Sequence, residues 1–194
     1  MTTQQLKVEP HWNYFLAIER DLETLSRYVE FDQRNFECFS IEIARVLLAA
    51  GAEADVVCKQ ACKAANPAST AENIHDYRKE MTKSYPAIGA FGVRIPKFEL
   101  ELTPWDEWTK PNGVPFWWTA YNKTKHERGA EYHRANLKNT LNAVAGLFVA
   151  VLHLYAAKAR AGELIPSPQL LRPDDGHFAG TTHNGFEFGF NYIL

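Results

Sequence analysis

Apolar positions recur at helical spacing in four stretches of this chain. After Pro10, the residues Trp12, Phe15, Leu16, Ile18, Leu22, Leu25 and Tyr28 follow a period near 3.6, with Glu19, Arg20, Asp21 and Glu23 toward water. That spacing predicts a helix over about 11–29. A second helix is expected over 40–65, with Ile43, Leu47, Ala50, Ala54, Val57, Cys58 and Ala61 as its stripe. Its many small residues allow another helix to approach closely, Ser40 is placed to cap it, and Asn66-Pro67 stops it. Ser69-Thr70-Ala71-Glu72 has the spacing of a capping box, so a third helix is expected over 69–85, ending before Pro86. A fourth runs over about 115–160, with a bend available at Gly129 and a central stripe of Leu137, Leu141, Val144, Phe148, Leu152 and Tyr155.

Between the third and fourth helices the period shortens to two. Val93, Ile95, Phe98, Leu100 and Leu102 alternate with Arg94, Lys97, Glu99 and Glu101, which predicts short strands within 91–102, broken at Pro96. From about 163 to 194 Pro, Gly and aromatics dominate, and Phe186-Glu187-Phe188-Gly189-Phe190 alternates like a strand. Such an apolar tail is expected to wrap the helices or pair with the strand near Phe98. The fold class is therefore mainly α: a single domain over 1–194, built as a four- to five-helix bundle with a short β-hairpin insertion and an extended C-terminal tail.

Length and composition agree with that reading. A chain of 194 residues with 46% hydrophobic and 23% charged positions buries roughly 70% of its unfolded surface. The apolar run 143–157 is interrupted by His153 and is too short to span a bilayer, and the N-terminus lacks the apolar core of a signal peptide. A cytoplasmic protein without a membrane role is expected. Cys38, Cys58 and Cys62 form neither a zinc pattern nor a disulfide framework. A net charge of −2 offers no global attraction to nucleic acid, so any such binding rests on the local basic patch at 123–138. No Walker loop, GxSxG elbow or GxGxxG turn occurs, and no cofactor is implied.

Candidate chemistry concentrates in the segment Trp117–Arg128, with two tryptophans, an asparagine, three basic side chains and a histidine. Imidazole moves protons near neutral pH, and Lys or Arg holds an anion, a combination suited to phosphate chemistry. On an unbroken helix, Asn122, His126 and His133 fall within about 40° of one another, at the edge of the core-facing stripe. Lys125 and Arg128 flank that trio. Two outcomes stay open: internal hydrogen bonds, for instance to Glu42, Glu53 or Asp55, or an open site. A metal site is not expected, because no carboxylate stands at ligand spacing from the histidines.

The segment Phe116–Tyr155 resembles the C-terminal half of a HEPN-type helical domain. The chain also resembles bacterial proteins that carry a Trp-Trp-x-x-Tyr-Asn-x-x-Lys-His-x-Arg signature. Many HEPN proteins are metal-independent endoribonucleases of bacterial defence and toxin–antitoxin systems, with an Arg followed by a His at a dimer interface. Asn122 and His126 match the end of Arg-Asn-x-x-x-His, although Tyr121 stands in the Arg position. Arg128 and His133 match the Arg–His spacing without the polar residue after Arg. The resemblance implies a homodimer acting on RNA, with a cognate antitoxin as a further partner. In that chemistry His126 or His133 would deprotonate a ribose 2′-OH, and Arg128 and Lys125 would stabilise charge on the phosphate. Asn122 would orient the histidine or a phosphate oxygen, beside Tyr121 and Trp118. The alternative is a non-catalytic helical protein that uses this surface to bind a partner or small ligand.

Overall fold

The computed structural model describes residues 8–194. Among them the chain is mainly helical, with two small antiparallel sheets. Helix α1 runs Pro10–Leu25 and stops short of the expected end, because the Ser26 hydroxyl turns back to donate to Glu23 O at 2.7 Å. Helix α2 runs Ile41–Ala65 as expected, and Ser40 Oγ caps it by accepting from Ile43 N. Helix α3 runs Ile74–Ser84 and begins later than the Ser69 box suggests. Asn73 Oδ1 accepts from both His75 N and Asp76 N, whereas the Ser69 hydroxyl is taken up locally by Ala71 N. An Asx cap that satisfies two orphan amides outcompetes a box whose serine closes its own turn.

The expected fourth helix is four helices: α4 at Phe116–His126, α5 at Arg128–Glu131, α6 at Leu137–Leu154 and α7 at Ala156–Ala161. The first break falls at Glu127 (φ −128°, ψ 34°) and not at Gly129. The second follows the 3-10 turn Tyr132–Arg134, where Asn136 caps α6 by accepting from Asn139 N at 3.0 Å. Here the backbone also finds partners outside the helix. Leu137 N donates to Cys38 O and Lys138 N to Phe36 O, so the segment before α6 pairs with the segment before α2. These long-range bonds offset the helical bonds lost at the break.

Helix α6 is buried on every side from Thr140 to His153 and packs against α2, α1 and α4. By length and mean hydropathy (1.4) it meets the criterion for a membrane span, but 83% of it is buried inside the protein, so it is the core helix. Beside it, β1 (Val93–Ile95) and β2 (Leu100–Leu102) form the expected hairpin, turned by Pro96–Phe98. The tail realises both expectations. Its short strand β3 (Arg172–Pro173) joins β1, giving the order β2-β1-β3. Farther on, β4 (Phe178–Asn184) and β5 (Glu187–Tyr192) make a second hairpin against α7.

Glu19 departs from its solvent-facing assignment. It is buried, and its carboxylate accepts from Gln169 N, Leu170 N and Leu171 N at 2.8–2.9 Å. Three charge-assisted bonds to backbone amides offset the desolvation of this group and strap the tail across α1.

Candidate functional site beside helix α4

The tryptophans that open α4 belong mainly to the core. Trp117 Nε1 donates to Pro104 O at 2.7 Å and Trp105 Nε1 to Gly146 O at 3.1 Å, and the two rings meet edge to face. Tyr121 is buried over Gly51 of α2. This packing fixes the rotation of α4 and so decides which of its polar residues reach the surface.

On the outer side of α4 lies a groove of about 300 Å³, closed on its far wall by the start of α3. Asn122, Lys123 and His126 line it from α4, His75 lines it from α3, and the Trp118 ring forms part of its floor. His75 and His126 are both exposed, and neither imidazole ring makes a hydrogen bond or ion pair among the described residues. Asn122 Nδ2 donates back to Trp118 O at 3.1 Å, which pins the amide against the groove. Lys123 Nζ bonds both oxygens of Glu127 at 2.8 and 3.0 Å. The groove thus combines two imidazoles, an amide and an ammonium with a carboxylate counter-ion.

The remaining candidates fall elsewhere. Lys125 Nζ sits 5.5 Å from the centre of the Tyr121 ring, held there by cation–π attraction. Beyond the break at Glu127, Arg128 lines a different, wider groove with Arg45, Ile41 and Tyr132. His133 is exposed on the 3-10 turn and lines neither groove. Asn122, His126 and Trp118 are therefore brought together, while His133 and Arg128 are not. The shared face of Asn122, His126 and His133 assumed one continuous helix, and the chain abandons that register at Glu127. Glu42, Glu53 and Asp55 do not reach the trio. They bond Arg45, His11 and the Tyr77 hydroxyl instead.

The spacing of residues in the sequence does not single out His75. The pairing of α3 with α4 brings it to the groove, and periodicity within either helix carries no signal of that pairing. No group of three or more His, Cys, Asp or Glu placed to hold a metal ion occurs among the described residues. His177 in the tail bonds Asp174 at 2.6 Å and stacks on Phe91. The thiols on α2 are buried: desolvation raises Cys58 well above its ordinary range and pushes Cys62 up to about 12, so both are inert packing groups.

No protein family, no curated protein and no solved structure matches this chain.

Proposed function

We propose that this is a cytoplasmic, HEPN-like protein directed at RNA, with α1, α2, α4 and α6 as its bundle and the α3–α4 groove as its site. The reading extends to a metal-independent endoribonuclease working as a homodimer under a cognate antitoxin, in a bacterial defence or stress system. One observation carries it: two unpartnered imidazoles, His126 and His75, line one groove with an amide and an ammonium. One imidazole takes the proton from a ribose 2′-OH as its oxygen attacks the adjacent phosphorus. The other gives a proton to the departing 5′-oxygen, leaving a 2′,3′-cyclic phosphate and a 5′-hydroxyl. Lys123 exchanges Glu127 for phosphate, and Asn122 orients the base or a phosphate oxygen. No metal takes part in this scheme.

The test is cleavage of end-labelled RNA in EDTA. Wild type should leave cyclic-phosphate ends, and His126→Ala or His75→Ala should slow cleavage by roughly 10²–10⁴-fold without loss of fold. Full cleavage by both variants would overturn the scheme.

A second reading, a non-catalytic protein that binds a partner or small ligand, is favoured by a larger, mostly apolar groove of about 630 Å³ between α1 and α2. It is flanked by Tyr14 and Tyr28, both exposed. Tyr121 in the Arg position of the HEPN pattern points the same way. A wild-type protein that leaves RNA intact in EDTA and with added divalent ions would favour this reading.

A further inference from the structure

The β4–β5 hairpin carries a row of aromatic side chains whose inner end packs on the helical core and whose outer members the core does not use. Residues paired across an antiparallel ladder share a face, and that face alternates along each strand. The pair Thr182↔Gly189 and the residue Asn191 turn toward α7, where Gly189 lies against Gly162 and Asn191 Nδ2 donates to Arg160 O. The pairs His183↔Phe188 and Thr181↔Phe190 therefore turn outward. The His183 and Phe188 rings lie 4.4 Å apart at a tilt of 59°, Phe178 meets Phe190 edge to face at 5.9 Å, and the Arg172 guanidinium lies 4.9 Å over the Phe190 ring.

Burial falls along this row. Tyr192 is buried against Phe148, Phe190 is half-buried, Phe178 is 40% exposed and Phe188 52% exposed, and Phe186 at the tip is fully exposed. Cross-strand packing accounts for Phe190 and Tyr192, because those rings stabilise the ribbon by being covered. It does not account for Phe186 and Phe188, which leave a large apolar area in water. The basic side chains among these rings are Arg172, over Phe190, and His183, beside Phe188. Glu187, the one carboxylate of the hairpin strands, alternates onto the opposite face.

We propose that this face is a stacking platform for unpaired bases of single-stranded RNA, with Phe186 and Phe188 taking the bases and His183 and Arg172 facing the phosphates. Flat rings bind any base by stacking, and a face whose charges are positive tolerates the phosphate backbone that a lipid-inserting apolar tip or a peptide-binding sheet edge does not require. The proposal rests on the RNA reading above and adds to it a contact outside the α3–α4 groove.

The test uses the full chain and a fluorescein-labelled 2′-O-methyl oligouridine, whose blocked 2′-oxygen keeps it from being cleaved. Wild type should bind it, and Phe186→Ala and Phe188→Ala should each weaken binding roughly fivefold or more. Thr181→Asp, which keeps every ring but puts a carboxylate on the face, should weaken it as well. In a His126→Ala background, which loses cleavage of ordinary RNA, Phe186→Ala and Phe188→Ala should still weaken binding by the same factor. That outcome separates the two proposals, since the groove can fail while the platform holds, and the reverse. Circular dichroism and melting of each variant check the fold, which substitution of exposed rings leaves intact. Unchanged affinity in the Phe186→Ala, Phe188→Ala double variant would overturn the platform. So would failure of wild type to bind the oligonucleotide, or ring-dependent binding to phosphatidylcholine–phosphatidylglycerol vesicles in its place.

Discussion

Gly51 and Gly146 set how closely α4 approaches the core. A Cβ on Gly51 would stand 2.4 Å from the Tyr121 ring, and one on Gly146 2.5 Å from Trp117. Neither ring has room to retreat, since both are buried. Gly51→Ala should therefore destabilise by about 1–3 kcal/mol despite the better helix propensity of Ala, measurable by urea denaturation. His153 acts at the same scale through charge. Its ring is buried against Tyr85 and Phe91, with Nδ1–H donated to Val149 O at 2.7 Å, and burial pushes its pKa down to about 4. The neutral ring is the form that folds. The unfolded chain takes up the proton near pH 6.5, so stability falls as pH drops from about 6.5 to about 4 and this contribution then levels off. The loss is roughly 3 kcal/mol across that window. Subtracting the curve of His153→Leu from that of wild type should isolate the slope; parallel curves would show that the native ring protonates freely.

At the scale of elements, the helices differ in how far local sequence determines them. Helix α2 was readable from Ser40 to Asn66 because its cap, stripe and stop all lie within its own segment. The β1–β2 hairpin was equally plain, since alternation and Pro96 specify it locally. The break between α4 and α6 was not. Residues 127–136 contain no proline, and what holds them out of helix is Asn136 together with bonds to Cys38 and Phe36, far away in sequence. The same limit applied to the groove. Asn122, Trp118 and His126 were visible in one helix, whereas His75 joins them only through the packing of α3 beside α4. The basic patch at 123–138 was also readable as composition, but the separation of Lys123 and Arg128 into different grooves follows from the turn at Glu127.

At the scale of the whole molecule, the tail is part of the structure. Its backbone delivers three amides to the buried Glu19 carboxylate, Trp12 Nε1 donates to Pro166 O, and Tyr192 packs on Phe148 of α6. Glu19→Ala would leave those amides unpaired in an apolar setting and should cost at least about 3 kcal/mol. Glu19→Gln, which keeps one acceptor oxygen but turns an N–H toward another N–H, should fall between Ala and wild type. Thermal melting of the pair tests this ordering, and equal stability of all three proteins would mean that the strap adds nothing to the fold.

The enclosure of α6 also bears on how the chain is made. Seen alone, Leu137–Leu154 is as apolar as a segment that targeting machinery delivers to a lipid bilayer. Helices α1, α2 and α4, which sheathe it, all precede it in the chain. During synthesis they leave the ribosome first, so the sticky segment emerges beside its own wrapping. A circular permutation that placed α6 first would expose this segment before its wrapping is made, and should therefore raise aggregation during synthesis relative to the natural order.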